Sequence, residues 1–240
     1  MDATQQQFVD LLVKQDVQVD ERQLEQFELY FQELISWNER MNLTGITERD
    51  QVYIKHFYDS LTLAFHVDMT EVGRMIDVGS GAGFPGIPLK ILFPHLKLTI
   101  VDSLNKRISF LQNLVNTLDL KGVTLVHSRA EDLARKVDHR DQYDLATARA
   151  VARLSVLNEF CLPFVKTGGH FVAMKGNDPT EELKEASYSL KELRGKVTNN
   201  YRLELPNDQS ERHLIIIRKR SFTPNKYPRK AGTPLKTPLI

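Results

Sequence analysis

At 240 residues, with 41% hydrophobic and 26% charged residues, the chain can hold one large core and is too ordinary in composition for a disordered or fibrous protein. The formal net charge of +1 excludes a chain-wide basic signature for nucleic acid, but seven Lys/Arg and no acid lie between Arg218 and Ile240, so positive charge gathers at one end. One cysteine, Cys161, excludes an internal disulfide framework and fits a reducing cytoplasm; the polar start MDATQQQFVD does not read as a signal peptide, and no apolar run is long enough to span a bilayer.

In chain order, Ala3 to Val13 places Phe8, Leu11 and Leu12 at helical spacing. Gln23 to Trp37 repeats the pattern with Leu24, Phe27, Tyr30, Phe31, Leu34 and Ile35. Asp20 with Gln23 predicts a capping box for this second helix. A polar turn, Trp37 to Gly45, follows. Thr47 is expected to cap a further helix carrying Val52, Ile54, His56 and Phe57. No strand is predicted before Met75, so residues 1–72 read as a helical extension.

From Gly73 the chain alternates. Strand Arg74–Val78 leads through Gly79, Gly81 and Gly83 to helix Pro85–Phe93. Strand Leu96–Val101 leads to Asp102 and helix Asn105–Leu118. Strand Val123–His127 leads to Ala130-Glu131 and a short helix. Strand Tyr143–Ala148 leads to Arg149 and helix Leu154–Leu162, and strand Gly169–Met174 to helix Pro179–Arg194. Such βα units require right-handed crossovers and a parallel sheet between helix layers. Asn199–Leu205 and Arg212–Lys219 then have only Pro206 to Ser210 between them, which predicts an antiparallel hairpin at the sheet edge. The expected fold is α/β: a mostly parallel Rossmann-like sheet over 73–220 with an antiparallel C-terminal hairpin, the helical extension before it and a basic tail, 221–240, after it.

The glycine turn fits two ligands. Gly81-Ala82-Gly83-Phe84-Pro85-Gly86 satisfies the dinucleotide pattern G-x-G-x-x-G, and Asp102 is spaced to hold a ribose. Asp77 before Gly79 equally satisfies the D-x-G-x-G-x-G turn typical of S-adenosylmethionine enzymes. The glycines alone do not separate them. The ending does: five βα units closed by a hairpin is the layout of class I adenosylmethionine-dependent methyltransferases, whereas a six-stranded dinucleotide fold ends on another parallel strand. The carboxyl ends of the strands then line up Gly79, Gly81, Gly83, Phe84, Asp102, Ala130, Glu131, Arg149 and Lys175 on one rim. Asp102 is read as the ribose ligand or as a helix cap, Ala130-Glu131 as flanking an adenine or as a helix start, and Phe84 as a site wall or as core. Arg149 and Arg153 stand where a substrate would approach. The scattered histidines predict no metal site, and Cys161, inside an apolar helix, reads as a packed hydrophobe. The basic tail, with Phe222 and Tyr227 among its cations, reads as a phosphate-contacting RNA segment or as a solvated terminus.

The blocks WNERMNLTGI, KHFYDSL, MIDVGSGAGFPGIPLKI, VDSLNKRISFL, SRAEDLA, TARAVARL and KYPRKAGTPLKTPL, in this order, resemble the bacterial 16S ribosomal RNA guanine-N7 methyltransferase family, also known as glucose-inhibited division protein B. The resemblance implies methyl transfer from S-adenosylmethionine to N7 of one guanine in 16S rRNA, in the small ribosomal subunit or an assembly intermediate. It implies cofactor contacts at Gly79, Phe84, Ala130, Glu131 and Arg149, with Asp102 near the ribose. Guanine N7 presents a lone pair, so no general base is expected, and Arg149, Arg153 and Lys175 are the candidates for positioning the base or its phosphates. The absence of an N-P-P-Y-type tetrad after Asp144 and of a Pro-Cys nucleophile agrees with a ring-nitrogen target. A small-molecule methyltransferase, a non-catalytic RNA-binding or assembly protein and, more distantly, a dehydrogenase are the competing readings.

Overall fold

The computed structural model describes residues 1–176 and 178–240. Two long helices open the chain, α1 (Ala3–Val13) and α2 (Glu21–Met41). The capping box predicted for α2 is present: the Gln23 amide donates to Asp20 Oδ1 at 2.8 Å and the Asp20 amide donates to Gln23 Oε1 at 3.0 Å. Asp2 and Gln5 build the same box on α1. Asn42 ends α2 in the left-handed region, and Asn38 Oδ1 accepts from the Thr44 amide at 2.8 Å, so both asparagines serve the turn. A continuous helical run follows: α3 (Arg49–Val52), a π-helical turn (Tyr53–Tyr58), α4 (Asp59–Leu61) and a 3₁₀ turn (Thr62–Phe65). Thr47 does not cap it; Glu48 takes that position without a side-chain bond.

The sheet has seven strands: β1 (Arg74–Val78), β2 (Lys97–Asp102), β3 (Val123–His127), β4 (Tyr143–Arg149), β5 (Val165–Lys175), β6 (Gly195–Glu204) and β7 (Glu211–Lys219). Their order is β3-β2-β1-β4-β5-β7-β6. β1 to β5 run parallel, and β7 runs antiparallel to both β5 and β6. The predicted hairpin therefore closes the sheet. Between strands stand α5 (Gly86–Leu92), α6 (Asn105–Thr117), α7 (Ala130–Leu133) and α8 (Leu154–Cys161). The single helix expected over Pro179–Arg194 is two short ones, α9 (Thr180–Glu185) and α10 (Ser187–Glu192), which break at buried Ala186. The chain ends in a short α11 (Thr233–Lys236).

Side chains alternate across a strand, so each strand feeds two cores. Met75, Leu98, Ile100, Leu145, Val172 and Leu214 share a cluster with Phe8, Phe27, Tyr30, Leu34 and Phe57 of the N-terminal helices. Ile76, Val78, Ala146, Phe171, Ile215 and Ile217 face the other way, into α8 and onto Tyr227 and Leu239 of the C-terminal segment. The helical extension is thus one cover of the sheet, and residues 221–240 are part of the opposite cover.

That second placement corrects the reading of the tail as a solvated terminus, since the segment packs on the sheet. Lys219 is buried and donates to Asp141, to the carbonyls of Leu162 and Val165, and to Thr223. Arg140 donates to the carbonyls of Tyr227, Thr223 and Pro224, and Lys226 pairs with Glu192. The Arg229 guanidinium clamps Glu159 through Nε at 3.0 Å and Nη2 at 2.7 Å, while the Arg229 amide donates to the same carboxylate at 2.6 Å. Glu159 is fully buried. Removing one partner of such a pair strands a charge in the core. Arg229→Ala is therefore expected to lower the unfolding free energy by about 3–5 kcal/mol, measured by urea denaturation; a loss within the error of wild type would show that the segment is not held through this pair.

Candidate active site

β1 ends at the glycine turn, and the turn is held from three sides. Gly79 donates to the Val101 carbonyl at 2.8 Å, which ties the turn to β2. Asp77, fully buried, accepts from the Gly86 amide at 2.7 Å and so caps α5 from inside. Gly83 has φ +100°, and a Cβ there would come within 2.7 Å of the Tyr30 hydroxyl, so this glycine makes room for α2. Gly81, at φ +61°, has nothing within 4 Å of its would-be Cβ and leaves open space beside the turn. The Tyr30 hydroxyl donates to the Ala82 carbonyl at 2.6 Å.

A cleft of about 320 Å³ opens beyond β1, β2 and β3. Gly79, Asp102, Ser103, Ser128, Ala130 and Val151 are among its lining residues. Asp102 lies at its floor, 3% exposed. Its Oδ1 accepts from the Leu104 amide at 2.9 Å; its Oδ2 accepts more loosely, at 3.3 Å each, from the Gly81 amide and from Arg107 Nη1. A second cleft, of about 440 Å³, lies on the side of the extension and is lined by Lys55, His56, Asp59, Arg149, Lys175 and Arg212, with Ile46, Met174 and Gly176. Ala150, at φ +55°, lines both clefts. The β4 loop, with Arg149 on one side of it and Val151 on the other, is the partition between them.

The expected site residues fall into three groups. Gly79, Asp102 and Ala130 line the first cleft, and Arg149 and Lys175 the second. Phe84 and Glu131 are adjacent but turned inward. The Phe84 ring is stacked on His56 at 4.6 Å and on Tyr30 at 5.3 Å, with the Arg149 guanidinium 4.9 Å from its centroid. Glu131 is buried and accepts from the Gly232 amide at 2.8 Å. Arg153 lines neither cleft; its Nη2 donates to Glu185 at 2.7 Å on the surface. Sequence reasoning missed Asp59 and Arg212. Asp59 is buried, with Oδ2 accepting from Arg149 at 2.7 Å and Oδ1 from Arg212 Nε at 3.1 Å. Those partners lie 90 and 153 residues away, so no local spacing announces them. Lys55 pairs with Asp208 at 2.5 Å across the β6–β7 turn.

Among the described residues no group of three His, Cys, Asp or Glu could hold a metal ion, and no helix is long and apolar enough to cross a membrane. Cys161 is buried in the core, and burial pushes its thiol well above the usual range.

A seven-stranded sheet of this order, a glycine turn after β1 and an acid after β2 define an adenosylmethionine-dependent methyltransferase fold. Solved structures of that kind are similar in fold. One is a SAM-dependent methyltransferase from Aquifex aeolicus, with TM-score 0.53 and 17% identity, covering 73% of this chain and 96% of that one. Another is the ribosomal protein L11 methylase of Lactobacillus delbrueckii, with TM-score 0.51 and 16% identity, covering 68% and 78%. The family model GidB, rRNA small subunit methyltransferase G, matches residues 23–215. The proteins named ribosomal RNA small subunit methyltransferase G are 57% identical in Staphylococcus carnosus (97% of each chain) and 58% in Halalkalibacterium halodurans (97% of this chain, 98% of that one). The chain belongs to the rRNA small subunit methyltransferase G family.

Two buried titratable groups beside the glycine turn respond to pH in opposite senses. Burial, with Arg149 nearby, pushes His56 down to about 3 from 6.5. Burial pushes Asp77 up to about 7 from 3.8, against the Gly86 bond that lowers it. The His56 contribution to stability is complete above pH 6.5 and is lost as pH falls toward 3. The Asp77 contribution is complete below pH 3.8 and is lost as pH rises through 7. The two partly cancel in the wild type. His56→Gln is expected to remove the acid-side loss, so the difference in unfolding free energy between wild type and variant should change by up to about 1.4 kcal/mol per pH unit below pH 6.5. Parallel stability curves for the two proteins would refute the assignment.

Proposed function

We propose that the protein transfers a methyl group from S-adenosylmethionine to N7 of a guanine in 16S ribosomal RNA. The observation that carries this reading is the junction at Ala150, where the cleft of about 320 Å³ beside Gly79 and Asp102 meets one lined by Arg149, Lys175, Arg212 and Lys55. Family membership supports methyl transfer to small-subunit rRNA, the activity in the names of the relatives.

The first cleft fits an adenosyl group. Asp102 offers a carboxylate whose 3.3 Å bonds to Gly81 and Arg107 are at the long end for hydrogen bonds, so ribose hydroxyls can take their place. Open space beside Gly81 leaves backbone room, and Ala130 brings main chain to the cleft wall. Adenosylmethionine supplies a methyl carbon activated by its sulfonium. The guanine N7 lone pair forms the new N–C bond as the C–S bond breaks; the bonding pair stays on sulfur, the purine gains the positive charge and no proton moves. The work left to the protein is alignment, which is worth up to ~7–11 kcal/mol in well-oriented reactions. Arginine reads the Hoogsteen edge of guanine through O6. Arg149 and Arg212, fixed by Asp59, are placed for that task, with Lys175 and Lys55 for phosphate. Arg153, paired on the surface, is left out of it.

One alternative draws no support from the site. A covalent route would need a nucleophile, and Cys161 is sealed in the core.

Incubation with methyl-labelled adenosylmethionine and small subunits lacking the modification is expected to place the label on a guanine N7. Arg149→Ala should lower kcat/KM at least about tenfold and Asp102→Asn should weaken cofactor binding by roughly 10- to 100-fold, while Arg153→Ala stays at the wild-type rate. Label on an exocyclic amine or a ring carbon would reject the lone-pair mechanism, and label in a small molecule alone would reject the substrate.

A further inference from the structure

The first cleft has a polar floor and apolar flanks. Asp102, Ser103 and Ser128 supply the floor; Val151, Phe160 and Leu235 supply the flanks. Two of those flanks are exposed large hydrophobic side chains: Val151, 36% exposed, and Leu235, 52% exposed. Leu235 belongs to the C-terminal segment, more than a hundred residues beyond the glycine turn, and it stands in α11 directly after buried Pro234.

α11 is held firmly. Glu131, one residue after the cleft-lining Ala130, accepts from the Gly232 amide at 2.8 Å immediately before α11. Arg135 donates to the Pro228 carbonyl at 2.5 Å, and Arg229 clamps Glu159 of α8, the helix that also carries Phe160. The Thr237 amide closes α11 on the Thr233 carbonyl at 2.9 Å. Three anchors therefore hold a leucine at the lip of the cleft while leaving half of its surface in water. Exposed apolar surface in a concave, otherwise polar site gains free energy only when something flat and apolar covers it.

We propose that the C-terminal segment is a structural part of the cofactor site, with Leu235 forming the wall against which the purine of the adenosyl group packs. This deepens the proposed function and rests on it. Glu131 then acts on the cofactor indirectly, as the positioning residue that fixes the main chain carrying Leu235. Lys226 and Arg229 of the segment serve docking, onto Glu192 and Glu159.

The test is calorimetric titration of the full-length protein with S-adenosylhomocysteine and, separately, adenosine. Leu235→Ala is expected to weaken both by a similar factor, about five- to tenfold, and Leu235→Asp by more. Lys236→Ala, on the same turn but outside the cleft lining, should bind as wild type. Thermal unfolding should be unchanged in Leu235→Ala, because the side chain is half exposed. Wild-type protein that binds neither ligand would overturn the proposed function itself. Wild-type binding with unaltered affinity in both Leu235 variants would overturn this inference alone. So would a defect confined to the KM for RNA, which would assign Leu235 to the substrate face.

Discussion

The site hangs on the ring of Phe84. Four parts of the chain meet there: the glycine turn that carries it, Tyr30 of α2 stacked at 5.3 Å, His56 of the π-helical turn stacked at 4.6 Å, and the Arg149 guanidinium at 4.9 Å. A cation over an aromatic face and two stacked rings each contribute modestly, but all are removed from water. His56 fits only as a neutral ring, since Arg149 and Arg212 are its electrostatic neighbours, and burial holds it neutral down to about pH 3. The contact fixes the turn, the β4 loop and the extension relative to one another. It also explains why Phe84, which the motif suggests as a ligand contact, is 5% exposed. The residue shapes the site from behind.

The helical extension is consequently no separate appendage. Its aromatic chain runs Phe8, Phe27, Phe57 and Tyr30 to Phe84, at centroid separations of 5.1–5.3 Å, and the same cluster includes Met75 and Leu98 of the sheet. Asp59, at the end of the π-helical turn, reaches across to β4 and β7 through two arginines. π-helical turns often mark functional positions because they shift the following side chains off the regular helical phase. Here the shift is followed by the one carboxylate that gathers both arginines of the second cleft.

Much of this was legible in the sequence, and what was not has a common cause. β1 and β3 begin and end where their apolar runs predict, because alternation within a strand is a local property. The capping box of α2 is equally local. Boundaries drifted where tertiary packing decides: β5 starts four residues early, at Val165, because its first residues pair with Tyr143, and the expected helix over 179–194 breaks at Ala186. The packing of the tail is hidden for the same reason. Its basic composition is visible, but its acceptors, Asp141, Glu159, Glu192 and Glu131, are 34 to 101 residues away. The pairing of Asp59 with Arg212 was hidden by an even longer separation. Sequence pattern found the glycine turn and Asp102, which the fold brings together beside the first cleft; it could not find partners chosen by the fold.

The carboxylates around the two clefts support a mechanism of position. Asp59 receives two arginines, Asp77 the Gly86 amide, Glu131 the Gly232 amide, and Glu182 both the Leu154 amide at 2.7 Å and Lys175 at 2.8 Å. Each is an acceptor with a donor already in place, and each orients a neighbour. Asp102 is the exception: its Oδ2 holds only 3.3 Å bonds, and it lines the first cleft. A site that had to strip a proton from its nucleophile would need a free base at the junction near Ala150. His56 cannot serve at neutral pH without an outlet, because its Nε2 lies 2.7 Å from the Thr44 hydroxyl and its Nδ1 is enclosed without a partner. What the junction offers is arginine and lysine, with Arg149 and Arg212 held by Asp59 and Lys175 by Glu182. Asp59 of the extension, Asp77 of β1, Glu131 of α7 and Glu182 of α9 thereby set the geometry around the two clefts by holding their neighbours in place.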